Sequence, residues 1–166
     1  SSVRPIRDFC VWGRDPKKAQ QFASEQSART GFTVHATQDP AVAGACDVVC
    51  TVTGSAIPVL KAEWLTPGAH INLVGAHTLK TREADTALIV KSAVYVDLLD
   101  AVIAEGGDIM IPVKEGAINQ QHVVGEIGAL ILGHIAGRKD DQQITVYNSL
   151  GIPAQDLYAA HRVYQQ

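Results

Sequence analysis

Twice near its start, the chain runs from a short apolar stretch through a polar turn into Asp-Pro. Asp8-Phe9-Cys10-Val11-Trp12 leads through Gly13-Arg14 to Asp15-Pro16, and Phe32-Thr33-Val34-His35-Ala36 leads to Asp39-Pro40. Asp is a strong N-cap, because its side chain accepts from the first free amides of a helix, and proline suits the first helical position. Each unit therefore reads as a strand followed by a helix. The alternation continues to the last residues, which calls for βαβ units, a mainly parallel doubly wound sheet and an α/β fold.

The first helix is expected to stop at Gly31, and the one after Asp39 to end near Ala45. Asp47–Thr53 is nearly all apolar, as a strand covered on both faces should be. Ala69–Val74 reads as the next strand, Arg82–Lys91 as a helix and Ala93-Val94-Tyr95-Val96-Asp97 as a further strand. A helix then runs to about Ala104, ended by Glu105-Gly106-Gly107. Asp108–Val113 is broken by Pro112 and reads as an irregular link, whereas Gln120–Leu132 reads as one helix or two short ones meeting near Gly125. Gln143–Tyr147 is the last strand, and a helix follows from Pro153 to Tyr164.

With 46% hydrophobic and 19% charged residues, the composition is that of an ordinary globular domain with a real core. A net charge of −3 and the lack of any long basic run argue against nucleic acid or an anionic membrane as partner. No apolar run is long enough to span a bilayer, and Ser1–Asp8 has no apolar segment of the signal-peptide kind. Cys10, Cys46 and Cys50 read as small core hydrophobes in a reducing, cytoplasmic setting rather than as a disulfide framework. The histidines are dispersed and no Cys-x-x-Cys occurs, so no metal site is expected.

The polar residues gather where strands stop: Gly13-Arg14, Thr51-Val52-Thr53-Gly54-Ser55, Gly75-Ala76-His77 and Asn148-Ser149-Leu150-Gly151. In a parallel sheet these ends share one rim, where ligands of open α/β folds bind. Arg14, directly after a strand, stands where a 2′-phosphate of NADP would be met; the other reading is a solvated loop charge. His77 is either a residue of that site or an exposed side chain in an ordinary strand-to-helix turn. The Gly-x-Gly-x-x-Gly loop of dinucleotide folds is absent from the sequence. Asp8–Gly13 behaves like the second strand of such a fold, leaving its first strand, glycine loop and first helix unrepresented.

Trp12-Gly13-Arg14, Thr51-Val52-Thr53, Trp64-Leu65-x-Pro67-Gly68-Ala69-His70-Ile71-Asn72, Val74-Gly75-Ala76, Arg82-Glu83 and Gly151-x-x-x-Gln155-Asp156 follow one another in a specific order. With these motifs the chain resembles the ornithine cyclodeaminase/mu-crystallin family over nearly its whole length. The resemblance implies that residues 1–166 are a partial Rossmann-type NAD(P)-binding domain. Residues 152–166 would begin the helix that returns toward a dimerisation and substrate region. It further implies a homodimeric oxidoreductase acting on an amino acid or cyclic imino acid. NADP(H) is the expected cofactor and NAD(H) the alternative.

Carried over by position, Arg14 would meet the ribose phosphate, and Thr51 and Thr53 the ribose and pyrophosphate. Asn72, Val74 and Gly75 would lie beside the nicotinamide ribose, with Leu150 and Gly151 near the nicotinamide. His77 stands where the family's cyclodeaminases carry an aspartate base. An imidazole, titrating near pH ~6.5, can donate a proton as an ionised carboxylate cannot. Reduction of a ketimine of the pyrroline-2-carboxylate type is therefore expected. Ornithine cyclodeamination and NADPH binding without turnover, as in a mu-crystallin-like protein, are the alternatives. Without its glycine loop, the 166-residue stretch alone is expected to bind cofactor poorly and to be inactive.

Overall fold

The computed structural model describes residues 4–165; Ser1, Ser2, Val3 and Gln166, at the ends of the 1–166 span, lie outside the described residues. β1 (Asp8–Trp12) and β2 (Thr33–Thr37) are joined by α1 (Pro16–Thr30). Asp15 caps α1 by accepting from the Lys17 and Lys18 amides at 3.0 and 3.3 Å, and Gly31 closes it in the left-handed conformation at φ 73°. Only glycine enters that region without steric cost, so the stop is written in the residue itself. The second Asp-Pro starts α2 (Pro40–Gly44), where Asp39 accepts from the Ala41 amide at 2.9 Å.

β3 (Val48–Thr51), β4 (His70–Leu73), α3 (Thr86–Lys91), β5 (Ala93–Val96) and α4 (Leu99–Glu105) follow. Then come α5 (Gly107–Lys114), β6 (Val123–Glu126), α6 (Ile127–Ile131), β7 (Thr145–Asn148) and α7 (Pro153–Tyr164). Every strand pairing is parallel. β1 and β2 form one sheet, and the other strands form a second in the order β3-β4-β7-β5-β6. The described strands thus form two separate parallel sheets.

One face of the larger sheet makes the core. Ile71, Leu73, Val94, Val96 and Val146 pack against Leu88 and Ile89 of α3, Val102 of α4 and Ile109 of α5, all at most 1% exposed. The opposite face is open at β3, where Val48 is 42% exposed and Cys50 is also exposed. β3 is therefore an edge strand covered on one face, not the doubly covered strand its apolar run suggested. Of the cysteines, Cys46 is half-buried and packs against the core, Cys10 is half-buried, and Cys50 is exposed rather than a core residue.

Three element expectations fail for tertiary reasons. Arg82–Asp85 is not helical; Ala84 bridges Leu60 as a strand would, and Asp85 caps α3 by accepting from the Leu88 amide at 2.8 Å. Asp108–Val113 is helix despite Pro112. The proline forfeits the one intrahelical bond its amide would have made, and burial of Ile109 and Pro112 offsets that loss. Val123–Glu126 is a strand because its β-branched pair docks on β5. Gly125 takes φ 156° at the irregular point of that pairing, close against Ile135. Among the described residues, no helix is long and apolar enough to cross a membrane.

Candidate functional site

The larger sheet brings the carboxyl ends of β3, β4 and β7 side by side, with Thr51, Leu73 and Asn148 as in-register neighbours. Three of the four polar strand ends therefore meet on one rim. Arg14 does not join them through strand pairing, since it follows β1 in the separate two-stranded sheet, where it is exposed. A shallow cleft begins two residues beyond it, lined by Lys17, Gln20, Thr37 and Gln38 among others.

Buried carboxylates hold the rim. Glu83 is fully buried, and its oxygens accept from the Thr51 hydroxyl at 2.7 Å, the Thr53 amide at 2.5 Å and the Gly75 amide at 2.7 Å. One side chain thus joins the loop after β3 to the loop after β4. Gly75 has to be glycine here, because a Cβ at this position would run into the Thr53 backbone and the Glu83 carboxylate. The Glu83 backbone is itself fixed: its carbonyl accepts from the Val59 and Leu60 amides, and its amide donates to Asp108 Oδ1 at 2.8 Å.

Asp97, at the end of β5, does the same for β7. It accepts from the Gly151 amide at 2.6 Å and the Ser149 hydroxyl at 3.4 Å, and its other oxygen accepts from the Leu98 amide. Glu126, closing β6, accepts from the Leu99 amide at the start of α4. Asn148 donates to the Leu73 carbonyl at 3.4 Å, and its buried Oδ1 has no partner.

The nine residues singled out in the sequence are placed as follows. Thr51 is buried and bonded to Glu83; Thr53, Asn72, Gly75 and Leu150 are half-buried; Arg14, Val74, His77 and Gly151 are exposed. Asn72 points its amide at Cys50 Sγ, 3.5 Å away across the open face of β3 and β4. His77 Nδ1 lies 3.1 Å from the Gly75 carbonyl. A carbonyl only accepts, so Nδ1 carries the proton and Nε2 faces outward, a lone pair when the ring is neutral and a donor when it is charged. Asp108 accepts from the Glu83 and Ala84 amides through Oδ1, while its buried Oδ2 has no partner. Burial, and then the nearby Glu83 charge, push its carboxyl up to about 6 against the pull of those two amides. Burial also holds His70 below the usual imidazole range.

Glu83, Asp97 and Asp108 were missed as site-forming residues. Asp97 carried the signal used elsewhere, a polar residue directly after an apolar strand. Glu83 is hidden because its segment has a helical pattern, in which nothing local ties the side chain to the strand ends. Among the described residues, no cluster of His, Cys, Asp and Glu could hold a metal ion.

Gly54 and Gly151 have open space where a side chain would stand, and Val52 and Val74 offer exposed apolar surface beside them.

The chain matches the model of the ornithine cyclodeaminase/mu-crystallin family over residues 1–166. A Delta(1)-pyrroline-2-carboxylate reductase of Colwellia psychrerythraea is 32% identical, over 99% of this chain and 53% of its own length. Ketimine reductase mu-crystallin of Rattus norvegicus is 38% identical, over 96% of this chain and 47% of its own length. The structure of Thermococcus litoralis Delta(1)-pyrroline-2-carboxylate reductase in complex with NADH and L-proline matches with a TM-score of 0.94 at 33% identity, covering 99% of this chain and 51% of that one. The chain spans about half the length of the curated relatives it matches. Its mainly parallel α/β fold is the Rossmann-like one of these neighbours. Matched from its first residue to its last, the chain belongs to the ornithine cyclodeaminase/mu-crystallin family.

Proposed function

We propose that this chain forms the nicotinamide-binding part of an NAD(P)-dependent oxidoreductase that reduces a cyclic ketimine of the pyrroline-2-carboxylate type. The observation that carries the reading is the rim itself: the ends of β3, β4 and β7 lie together, held by Glu83 and Asp97, with His77 exposed beside Gly75. Relatives that reduce pyrroline-2-carboxylate or ketimines, and a neighbour solved with NADH and L-proline, support the same reading.

The bound cofactor supplies the hydride, and the chain supplies placement and a proton. Thr53, Asn72, Val74 and Gly75 line the ribose side, and Leu150-Gly151 the nicotinamide side. Thr51 acts from beneath, through its bond to Glu83. His77, with Nδ1 engaged by Gly75, presents Nε2 to the substrate nitrogen and donates a proton as the imine becomes an amine. Arg14 and the adjoining cleft take the adenosine end, and the guanidinium favours NADP(H) over NAD(H) through the 2′-phosphate. A homodimer and a cytoplasmic setting belong to the same reading; the three free cysteines support the latter.

The test is NAD(P)H oxidation by the complete gene product, followed by absorbance, with pyrroline-2-carboxylate and piperideine-2-carboxylate as substrates. Turnover with either is the expected result. Tight NADPH binding with no turnover would replace the enzyme reading by a binding protein, and conversion of ornithine to proline would replace it by cyclodeamination.

A further inference from the structure

We propose that Glu83 is the positioning residue of this rim: its carboxylate sets the spacing between the loop after β3 and the loop after β4, and so the shape of the nicotinamide site. The inference rests on the cofactor reading above and goes one layer beneath it, to a residue that touches no ligand.

Both oxygens are needed. Oε1 takes the Thr53 amide, and Oε2 takes the Thr51 hydroxyl and the Gly75 amide. These donors stand 30, 32 and 8 residues from Glu83 in the chain, so the bonds tie separate segments together rather than decorating one turn. Glutamine would keep one acceptor oxygen and set an NH2 against the other N–H, leaving two donors face to face. Aspartate would pull the carboxylate back by roughly one C–C bond, out of reach of both loops at once. The anchor is firm because the Glu83 amide is held by Asp108 and its carbonyl by the Val59 and Leu60 amides. The glycine at position 75 is what lets the second loop come this close.

Buried charge-assisted bonds of this kind also stabilise the fold, so lost stability alone would not distinguish positioning from scaffolding. The complete gene product is therefore compared as wild type, Glu83→Gln and Val102→Ala. The last variant leaves a cavity in the core under α4, away from the rim. NADPH affinity is read by nucleotide fluorescence well below each variant's Tm, and the Thr53 and Gly75 amides are read by NMR. The expected result is a tenfold or greater loss of NADPH affinity for Glu83→Gln and less than twofold for Val102→Ala. An upfield move of the Thr53 or Gly75 amide proton should accompany the first. Equal losses in the two variants, or unchanged affinity in Glu83→Gln, would overturn the proposal.

If Glu83→Gln does not fold, the wild type decides. Thr53 and Gly75 amide protons that are low-field and protected from exchange support the clasp, and rapidly exchanging ones refute it. Wild-type protein that binds neither NADPH nor NADH would count against the cofactor reading, while the amide measurement would still report on the clasp.

Discussion

Asp108 makes the structure's stability depend on pH in a direction opposite to most carboxylates. Its Oδ1 caps the Glu83 and Ala84 amides and its Oδ2 is buried without a partner, so burial dominates and the carboxyl is pushed up to about 6. An acid whose folded value lies above its unfolded value of 3.8 holds its proton longer in the fold. The stability this gives is therefore complete below about pH 4 and is lost as pH rises through about 6. The gap between 3.8 and about 6 corresponds to about 3 kcal/mol, of which about 2 kcal/mol falls between pH ~4.5 and ~7.5.

The perturbation is Asp108→Asn, which keeps the Oδ1 acceptor and cannot ionise. A buried, unpartnered NH2 adds a cost of roughly 1–3 kcal/mol that does not vary with pH. The assay is urea unfolding of both proteins across that pH range. Groups common to both cancel in the difference, so the variant should gain about 2 kcal/mol relative to wild type between pH ~4.5 and ~7.5. Parallel stability profiles would refute the assignment, as would a variant that loses ground toward neutral pH.

Gly75→Ala should cost about 3 kcal/mol or more, because its Cβ meets the Thr53 backbone rather than a movable side chain; a Tm within a few degrees of wild type would contradict that packing. Arg14→Asp in the complete gene product should weaken NADPH far more than NADH in fluorescence titrations, and equal losses would mean that Arg14 does not read the phosphate. Asp15→Ala should cost about 1 kcal/mol in urea unfolding, since the Asp15 side chain caps α1, and an unchanged urea midpoint would contradict that cap.

Local signals are legible where local chemistry decides. Asp15-Pro16, Asp39-Pro40 and Gly31 determine helix ends through their own side chains and dihedral preferences, and α1 and α2 start and stop as those residues demand. The strands that make the core were legible from their apolar runs. What was not legible came from partners distant in sequence. Glu83 faces inward because Asp108 takes its amide and its own carboxylate finds Thr53 and Gly75; without those neighbours Arg82–Lys91 has a helical pattern. Val123–Glu126 became a strand because β5 offered an edge, and Asp108–Val113 stayed helical because the core accepts Ile109 and Pro112. Of the site, the strand ends were visible and the buried acids joining them were not, apart from the family motif in which Glu83 appears.

The bonds that hold the rim also limit what the rim can recognise. Backbone amides at strand ends usually serve as anion receptors, yet Thr53, Gly75 and Gly151 have already given theirs to Glu83 and Asp97. A phosphate arriving here would find the donors occupied and two acidic side chains behind them. A carbon–nitrogen group carrying positive charge, whether an oxidised nicotinamide or a protonated imine, would find the opposite. On the proposed reading the labour divides by sign: phosphate recognition would fall to Arg14, and the end joined by Glu83 and Asp97 would suit a cation.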